Sequence, residues 1–89
     1  MEKISIRVTG KVQGVFFRHE SRKIAETLDI TGFVRNEPDG SVFIEAEGER
    51  EALLKLLLFT KTGPRYAKVE RVEPLWGVGA GGHKSFSIQ

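Results

Sequence analysis

The chain has 89 residues, of which 39% are hydrophobic and 29% charged, and this is the composition of a compact globular protein with room for one domain, residues 1–89. Its 14 basic and 12 acidic residues are well mixed and leave a net charge of +2, which excludes a strongly basic nucleic-acid footprint. Cysteine is absent, which excludes disulfide scaffolds and thiolate chemistry. With no apolar leader or long apolar run, we expect a cytoplasmic protein that does not bind membranes.

The first half of the chain predicts a strand, a helix and a β-hairpin. Near the start, three β-branched residues alternate with polar ones, which is typical of a strand with one buried face: Ile4, Ile6 and Val8. From Phe17 to Leu28 the apolar spacing becomes helical. Two further strands, 31–36 and 42–47, flank turn residues at 37–40, so they are predicted to pair antiparallel.

The second half predicts a helix over 49–62, ended by Gly63 and Pro64, and two more strands. Leu54 and Leu58 widen the apolar face of this helix, and we expect them to pack against the first helix rather than to form an oligomer contact. The strand over 68–75 departs from strict alternation, which indicates a bulge or a sheet edge. A short strand over 85–89 closes the chain.

The predicted order is therefore βαββαβ with a short C-terminal strand. An α+β protein follows, a ferredoxin-like α/β sandwich in which two helices cover one face of an antiparallel sheet. This fold serves enzymes, RNA binders and small-molecule sensors, so the function must come from a site.

The loop between the first strand and the first helix is the strongest site candidate. Gly10 and Gly14 allow turns that deliver successive backbone N–H groups to a helix N-terminus, where anions bind. Arg18 stands in the first helical turn, where a positive charge is unfavourable unless an anion is bound. From spacing alone, a tight connection with an incidental surface arginine is an equally good interpretation.

The other polar features are weaker on local grounds. Asn36 precedes a hairpin turn, where turn chemistry explains it, and its proximity to the loop cannot be decided locally. Segment 77–82 contains G-x-G-x-x-G, but a strand rather than a helix follows, which favours a flexible hairpin connection. His19 is predicted on the helix surface. Neither His19 nor His83 has a ligand-spaced partner, so no metal site is expected.

The motifs taken together resemble the acylphosphatase family over nearly the whole chain. Val-Gln-Gly-Val-Phe-Phe-Arg at 12–18 is followed at the right spacing by Gly-Phe-Val-Arg-Asn at 32–36 and Asp-Gly-Ser-Val at 39–42. The similarity continues at 46–48, 63–64 and 69–72. Phe16, where a smaller residue is common, and Phe43, where an acidic residue is common, depart from the pattern and bear on substrate preference.

The resemblance implies a monomeric enzyme that hydrolyses the carboxyl–phosphate bond of acyl phosphates without metal or cofactor, inhibited by its product, inorganic phosphate. In that family the arginine at this position, here Arg18, binds the phosphate, and the asparagine, here Asn36, positions the attacking water. The backbone of the preceding loop completes the phosphate cradle: Gln13, Gly14, Val15, Phe16 and Phe17. We further expect Phe17 to anchor the helix, and Val15 and Phe16 to pack the loop from behind.

The implied chemistry needs few groups, because the leaving carboxylate has a conjugate acid with a pKa of about 4 to 5 and requires no general acid. Positioning and charge stabilisation dominate phosphoryl transfer, and an arginine fork suits two phosphate oxygens. The amide of Asn36 orients water but cannot act as a base, so the proton passes to solvent or to the phosphate.

Two other functions fit the fold. An RNA-binding domain of this topology carries a characteristic aromatic motif on its third strand, and residues 42–45 lack it. A sensing module that binds an anion without turnover has no sequence feature against it, so hydrolysis of an acyl phosphate is the measurement that separates it from an enzyme.

Overall fold

The helices and strands follow one another in the predicted order. The computed structural model describes residues 1–89. Its elements are β1 (Glu2–Lys11), α1 (Phe17–Thr27), β2 (Thr31–Asn36), β3 (Val42–Gly48), α2 (Arg50–Thr62), β4 (Lys68–Val78) and β5 (Phe86–Ile88). The main difference in bounds is at β4, which continues beyond the predicted Leu75 to Val78 because it stays paired with β1 as far as Glu2.

The strands form one five-stranded sheet in the order β4-β1-β3-β2-β5. The first four strands of the chain pair antiparallel, as predicted. Strand β5 joins the edge at β2 and runs parallel to it, which makes the sheet mixed. With two helices on this sheet, the predicted ferredoxin-like sandwich is confirmed. The parallel pairing arises because the chain crosses from β4 to the opposite edge before β5 begins.

The core lies between the helices and one face of the sheet. Alternate residues of β1 and β3 are fully buried and lie opposite one another, as in the pairs Ile6–Ile44 and Ile4–Ala46. Helix α1 packs over β2 and β5, whereas α2 packs over β1 and β4. Burying one face of each element in this way removes apolar surface from water, the main favourable term in folding.

The outer side of α2 differs from the prediction. Leu53, Leu56 and Thr60 form the buried stripe, and Leu54 and Leu58 are exposed. The prediction that these two leucines pack against α1 is therefore wrong. The buried residues of α2 lie on the side of the helix that faces the sheet, and Leu54 and Leu58 project from the opposite side. Neither helix has the length and apolarity needed to cross a membrane.

The broken alternation of β4 predicted a bulge or a sheet edge, and the strand has both. It forms one edge of the sheet, and its pairing with β1 shifts register between Thr9 and Gly10. Gly10 has φ 128°, and a Cβ atom there would overlap the carbonyl oxygen of Lys68. Only glycine fits such a close approach, so the bulge fixes the exit of β1 into the following loop.

The pairing defines two ends of the sheet. At the site end, β1 finishes, β2 finishes at Asn36, and β3 begins at Val42, which lies opposite both Asn36 and Val8. At the far end, β1 and β2 begin and β3 finishes. The loop 12–16 leaves β1 at the site end, whereas segment 79–85 crosses the far end between the two sheet edges.

Candidate active site

The loop 12–16 joins β1 to α1 with alternating backbone handedness. Gly14 and Phe16 have left-handed backbone conformations, with φ 75° and 67°, whereas Val15 between them does not have a positive φ. Alternation of this kind turns successive N–H groups toward one side and forms an anion-binding concavity. Buried Val12 and Val15 hold the loop from beneath, and buried Phe17 packs against the Phe59 ring at 5.7 Å between centroids.

The backbone donors of this loop are unpaired inside the protein. None of the N–H groups of residues 13–16 donates a hydrogen bond to another part of the chain. The first N–H groups of α1 add to them, since a helix leaves its first turn of donors without internal partners. The end of α1 that faces this loop is also the positive end of the helix dipole. A negatively charged ligand is the natural partner for such a group of donors.

Arg18 lies half-buried in the first turn of α1. Its Nη1 donates a hydrogen bond to the backbone carbonyl oxygen of Gln89 at 3.1 Å. No Asp or Glu side chain lies within salt-bridge distance of the guanidinium. Since this bond uses one of its five N–H donors, Arg18 keeps both its charge and most of its donors for a ligand.

Asn36 carries the one buried side-chain polar atom that has no hydrogen-bond partner, its Oδ1. Burying an acceptor without a partner costs free energy, and unpaired groups of this kind accumulate at functional sites. Arg18 and Asn36 line the same cavity of about 270 Å³. The proximity that the sequence left undecided is thus present, because β2 finishes at the sheet end from which the loop departs.

The cavity takes in most of the predicted loop. Its lining consists of Val12, Gly14, Phe16, Phe17, Arg18, His19, Asn36 and Ile88. Gln13 and Val15, which were also predicted to contribute backbone to the phosphate cradle, are not part of this lining. Val15 is buried, as its predicted packing behind the loop requires. Phe16 is 69% exposed, so the prediction that it packs the loop from behind is wrong. It occupies the N-cap position of α1 with a left-handed backbone, which leaves its side chain on the solvent side.

Gln13 has a contact that sequence reasoning missed. Its side-chain Nε2 donates hydrogen bonds to the carbonyl oxygens of Glu37 and Ser41, at 2.8 and 2.9 Å. These carbonyls belong to the hairpin that follows Asn36, so the side chain ties the loop to the strand that carries the amide. Local spacing gives no signal for this contact, because its partners lie 24 and 28 residues further along.

The same hairpin is held by a second set of polar contacts. The Ser41 hydroxyl donates to Asp39 Oδ1 at 2.6 Å, and the Ser41 backbone N–H donates to the same oxygen at 2.9 Å. Arg7 Nη1 donates to the Ser41 hydroxyl at 3.0 Å. These contacts, the Ser41 hydroxyl first, lower the pKa of Asp39 from 3.8. A charged Asp39 therefore stabilises the turn beside the cavity.

A different polar cluster lies at the far end of the sheet, outside this cavity. His83 Nε2 is 2.9 Å from Glu45 Oε2 and 3.8 Å from Glu47 Oε2. The expectation that His83 has no partner of metal-ligand type is therefore wrong: the three side chains lie within reach of one another. Sequence spacing missed them because Glu45 lies 38 residues earlier.

The far-end cluster also fastens the glycine-rich segment. Glu47 is only 3% exposed, and its Oε1 accepts a hydrogen bond from the Gly81 N–H at 2.8 Å. A Cβ atom on Gly79 would lie 2.9 Å from that oxygen, so a larger residue there would displace the Glu47 carboxylate. The sequence predicted a flexible hairpin connection for this segment. In the structure it instead crosses from β4 to β5 at the opposite edge of the sheet, and the hydrogen bond to Glu47 holds it in place.

Comparison with known proteins agrees with these features. The family model described as acylphosphatase matches residues 4–88. A protein named acylphosphatase from Salinibacter ruber is 47% identical over 88 residues, which covers 99% of this chain and 93% of the relative.

Two solved structures are similar over more than nine-tenths of their lengths. An acylphosphatase from Bacillus subtilis superposes with a TM-score of 0.95 at 36% identity and covers 100% of this chain and 99% of that one. An acylphosphatase from Coxiella burnetii has a TM-score of 0.92 at 39% identity and covers 99% and 93%.

Proposed function

Since the chain belongs to the acylphosphatase family and is a hydrolase, we propose that it hydrolyses the carboxyl–phosphate bond of an acyl phosphate in the cavity that Arg18 and Asn36 share. The products are a carboxylate and inorganic phosphate. The observation that carries this proposal is the cavity itself, lined by a guanidinium without an Asp or Glu partner and by an amide with an unpaired oxygen, beside a loop whose N–H groups are unpaired.

In this proposal the phosphoryl group binds at the N-terminus of α1. The unpaired N–H groups of the loop and first helical turn donate hydrogen bonds to its oxygens, and Arg18 offers a bidentate fork to two of them. The left-handed backbone at Gly14 and Phe16 supports this assignment, since it forms the concavity that an anion requires. Charge that develops on the phosphoryl oxygens during transfer is stabilised by the same donors.

Asn36 orients the attacking water. Its Oδ1 is an acceptor in need of a donor, and a water O–H supplies one while the water oxygen faces the phosphorus. An amide does not take up a proton near neutral pH, so the proton leaves to solvent or to a phosphate oxygen. The weakly basic carboxylate leaves without protonation, which is why this set of groups is sufficient without a general acid.

The remaining parts hold the machinery in place. The Gln13 side chain joins the loop to the hairpin after Asn36, and buried Val15 and Phe17 fix the loop against the core. We propose that no metal takes part, because Arg18 and the backbone donors neutralise the phosphoryl charge. Inorganic phosphate fits the same donors and should compete with substrate. The cytoplasmic location, the monomeric state and the single-domain organisation stay predictions.

The decisive experiment follows benzoyl phosphate hydrolysis by wild type, Arg18→Ala and Asn36→Ala, with and without a chelator. We expect activity in the wild type, severe loss in both variants and no effect of the chelator. Arg22→Ala is the matched control, since it removes the same side chain one turn further along α1 and should leave activity nearly unchanged. A wild type that binds phosphate but releases no benzoate would contradict the proposed function.

A further inference from the structure

A second cavity adjoins the proposed phosphate cavity, and we propose that it receives the acyl group of the substrate. In this inference, which rests on the proposed function, Phe16 and Tyr66 give the site a preference for uncharged aromatic or large apolar acyl groups over small ones. The cavity has a volume of about 290 Å³. Its lining is Val15, Phe16, His19, Glu20, Pro64, Arg65 and Tyr66.

The two cavities are neighbours, since two residues line both. Phe16 and His19 line both, and they lie at the start of α1, where the phosphoryl group is proposed to bind. An acyl phosphate has its phosphoryl and acyl parts joined through one oxygen. With the phosphoryl group against Arg18, the acyl part of such a molecule extends across one of these shared walls or outward into solvent.

The order of the strands in the sheet indicates the direction in which the acyl group extends from the phosphorus. Attacking and leaving oxygens lie roughly in line across the phosphorus. Asn36, which is proposed to hold the attacking water, lies on β2, next to the edge strand β5. The second cavity lies instead against 64–66, the connection from α2 to β4, and β4 is the opposite edge of the sheet. The leaving carboxylate therefore points toward the second cavity and carries the acyl group into it.

The exposed aromatic rings indicate the chemistry of the occupant. Phe16 is 69% exposed and Tyr66 is 64% exposed, on a cavity floored by buried Val15. The backbone of Phe16 is left-handed, a conformation that residues other than glycine avoid and that is found where function requires it. Glu20 and Arg65 are the one acidic and the one basic side chain of the lining, so the lining itself is not dominated by one charge.

The test compares kcat/KM for benzoyl phosphate and for acetyl phosphate, two substrates that share the phosphoryl group and differ in the acyl group. In wild type we expect the ratio to favour benzoyl phosphate. In Phe16→Ala and in Tyr66→Ala the ratio should fall about three- to tenfold, the range expected when part of an apolar wall is lost. Tyr66→Phe, which keeps the ring, should retain the wild-type ratio.

Controls separate this inference from folding and from the proposed function. Leu58→Ala removes another exposed apolar side chain, 66% exposed on α2 and outside both cavities, and should not change the ratio. Because Tyr66 does not line the phosphate cavity, Tyr66→Ala should keep the wild-type inhibition constant for inorganic phosphate.

The outcomes are distinct. A wild type inactive on both substrates would overturn the proposed function and the acyl site with it. If the wild type is active but neither Phe16→Ala nor Tyr66→Ala changes the ratio of the two kcat/KM values, the acyl site alone would be overturned. Tyr66 is exposed, so its variant keeps the test decisive even if Phe16→Ala does not fold.

Discussion

The loop 12–16 at the site end and segment 79–85 at the far end have similar backbone features but differ in whether their polar groups are paired. Each follows a strand at an end of the sheet, and each contains a left-handed glycine, Gly14 with φ 75° and Gly81 with φ 73°. The N–H of Gly81 is paired with buried Glu47, whereas the N–H groups of residues 13–16 have no partner in the chain. Glycine content therefore does not distinguish a binding loop from a structural one; unpaired polar groups do.

The difference has an energetic meaning. Unpaired donors and the unpaired oxygen of Asn36 reduce stability and leave the site end ready for a ligand. Paired groups at the far end, Glu47 with Gly81 and Glu45 with His83, stabilise the crossing from β4 to β5. Substitutions at the site end should thus change activity more than stability, and those at the far end should do the opposite.

Arg18→Ala should give the largest effect. We expect kcat/KM for benzoyl phosphate to fall about a thousandfold, because the cavity loses its only guanidinium for the transferring phosphoryl group. Arg18→Lys should recover only part of this loss, since lysine lacks the bidentate fork. Steady-state kinetics measure the fall, and urea denaturation should give nearly unchanged stability. If instead stability collapsed, the site end would be structural and the contrast between the two ends would be wrong.

Asn36→Ala should lower kcat about a hundredfold with little change in KM, as expected for a contact made chiefly in the transition state. Its stability should be equal to or above that of the wild type, because the substitution removes a buried acceptor that has no partner. Kinetics and denaturation of the same preparation test both statements. A near-normal kcat would refute the water-orienting role.

Glu47→Ala should act at the far end and mainly on stability. It leaves the Gly81 N–H and His83 with fewer partners, and we expect the free energy of unfolding to fall by about 1–3 kcal/mol. Glu47→Gln, which keeps an acceptor for Gly81, is the matched control and should lose less. Activity per folded molecule should stay at the wild-type level, so a fall in kcat at full folding would show that the ends are coupled.

Gln13→Ala should produce a smaller and mixed effect. Two hydrogen bonds from Nε2 to the hairpin carbonyls are lost, at about 1 kcal/mol each. Since these bonds set the distance between the loop and Asn36, we expect kcat to fall about tenfold together with a modest loss of stability. Kinetics with benzoyl phosphate and thermal unfolding measure the two. Loss of stability without loss of kcat would limit Gln13 to a structural role.

Asp39→Asn should give the smallest effect, visible only through pH. Because the folded protein lowers the pKa of Asp39 below 3.8, its charged form stabilises the fold above that value. This contribution is lost as pH falls through the lowered folded pKa. Wild type should therefore be more stable than the variant near pH 7, and the gap should close below about pH 4. Unfolding midpoints across this range test it, and a gap that persists in acid would assign the effect to another group.

The sequence by itself determined the order of the elements and predicted the residues of the proposed site. Alternation at Ile4, Ile6 and Val8 and the helical spacing after Phe17 predict structure because each pattern puts apolar side chains on one face of a strand or a helix, which depends only on spacing along the chain. The family motifs, likewise, marked Arg18 and Asn36 without any knowledge of distance. Local patterns also predicted that β4 would be bulged or at an edge, and both features are present.

Tertiary structure alone decided which polar groups meet. Whether Asn36 lies beside Arg18, whether Gln13 reaches the hairpin, and whether Glu47 holds Gly81 all depend on strand order and register. Contacts between residues 18 or more positions apart leave no periodic trace in a single sequence. The exposure of Phe16 and Leu58 was misjudged for the same reason. An apolar side chain packs only where the fold places a neighbour, and periodicity does not report where neighbours are.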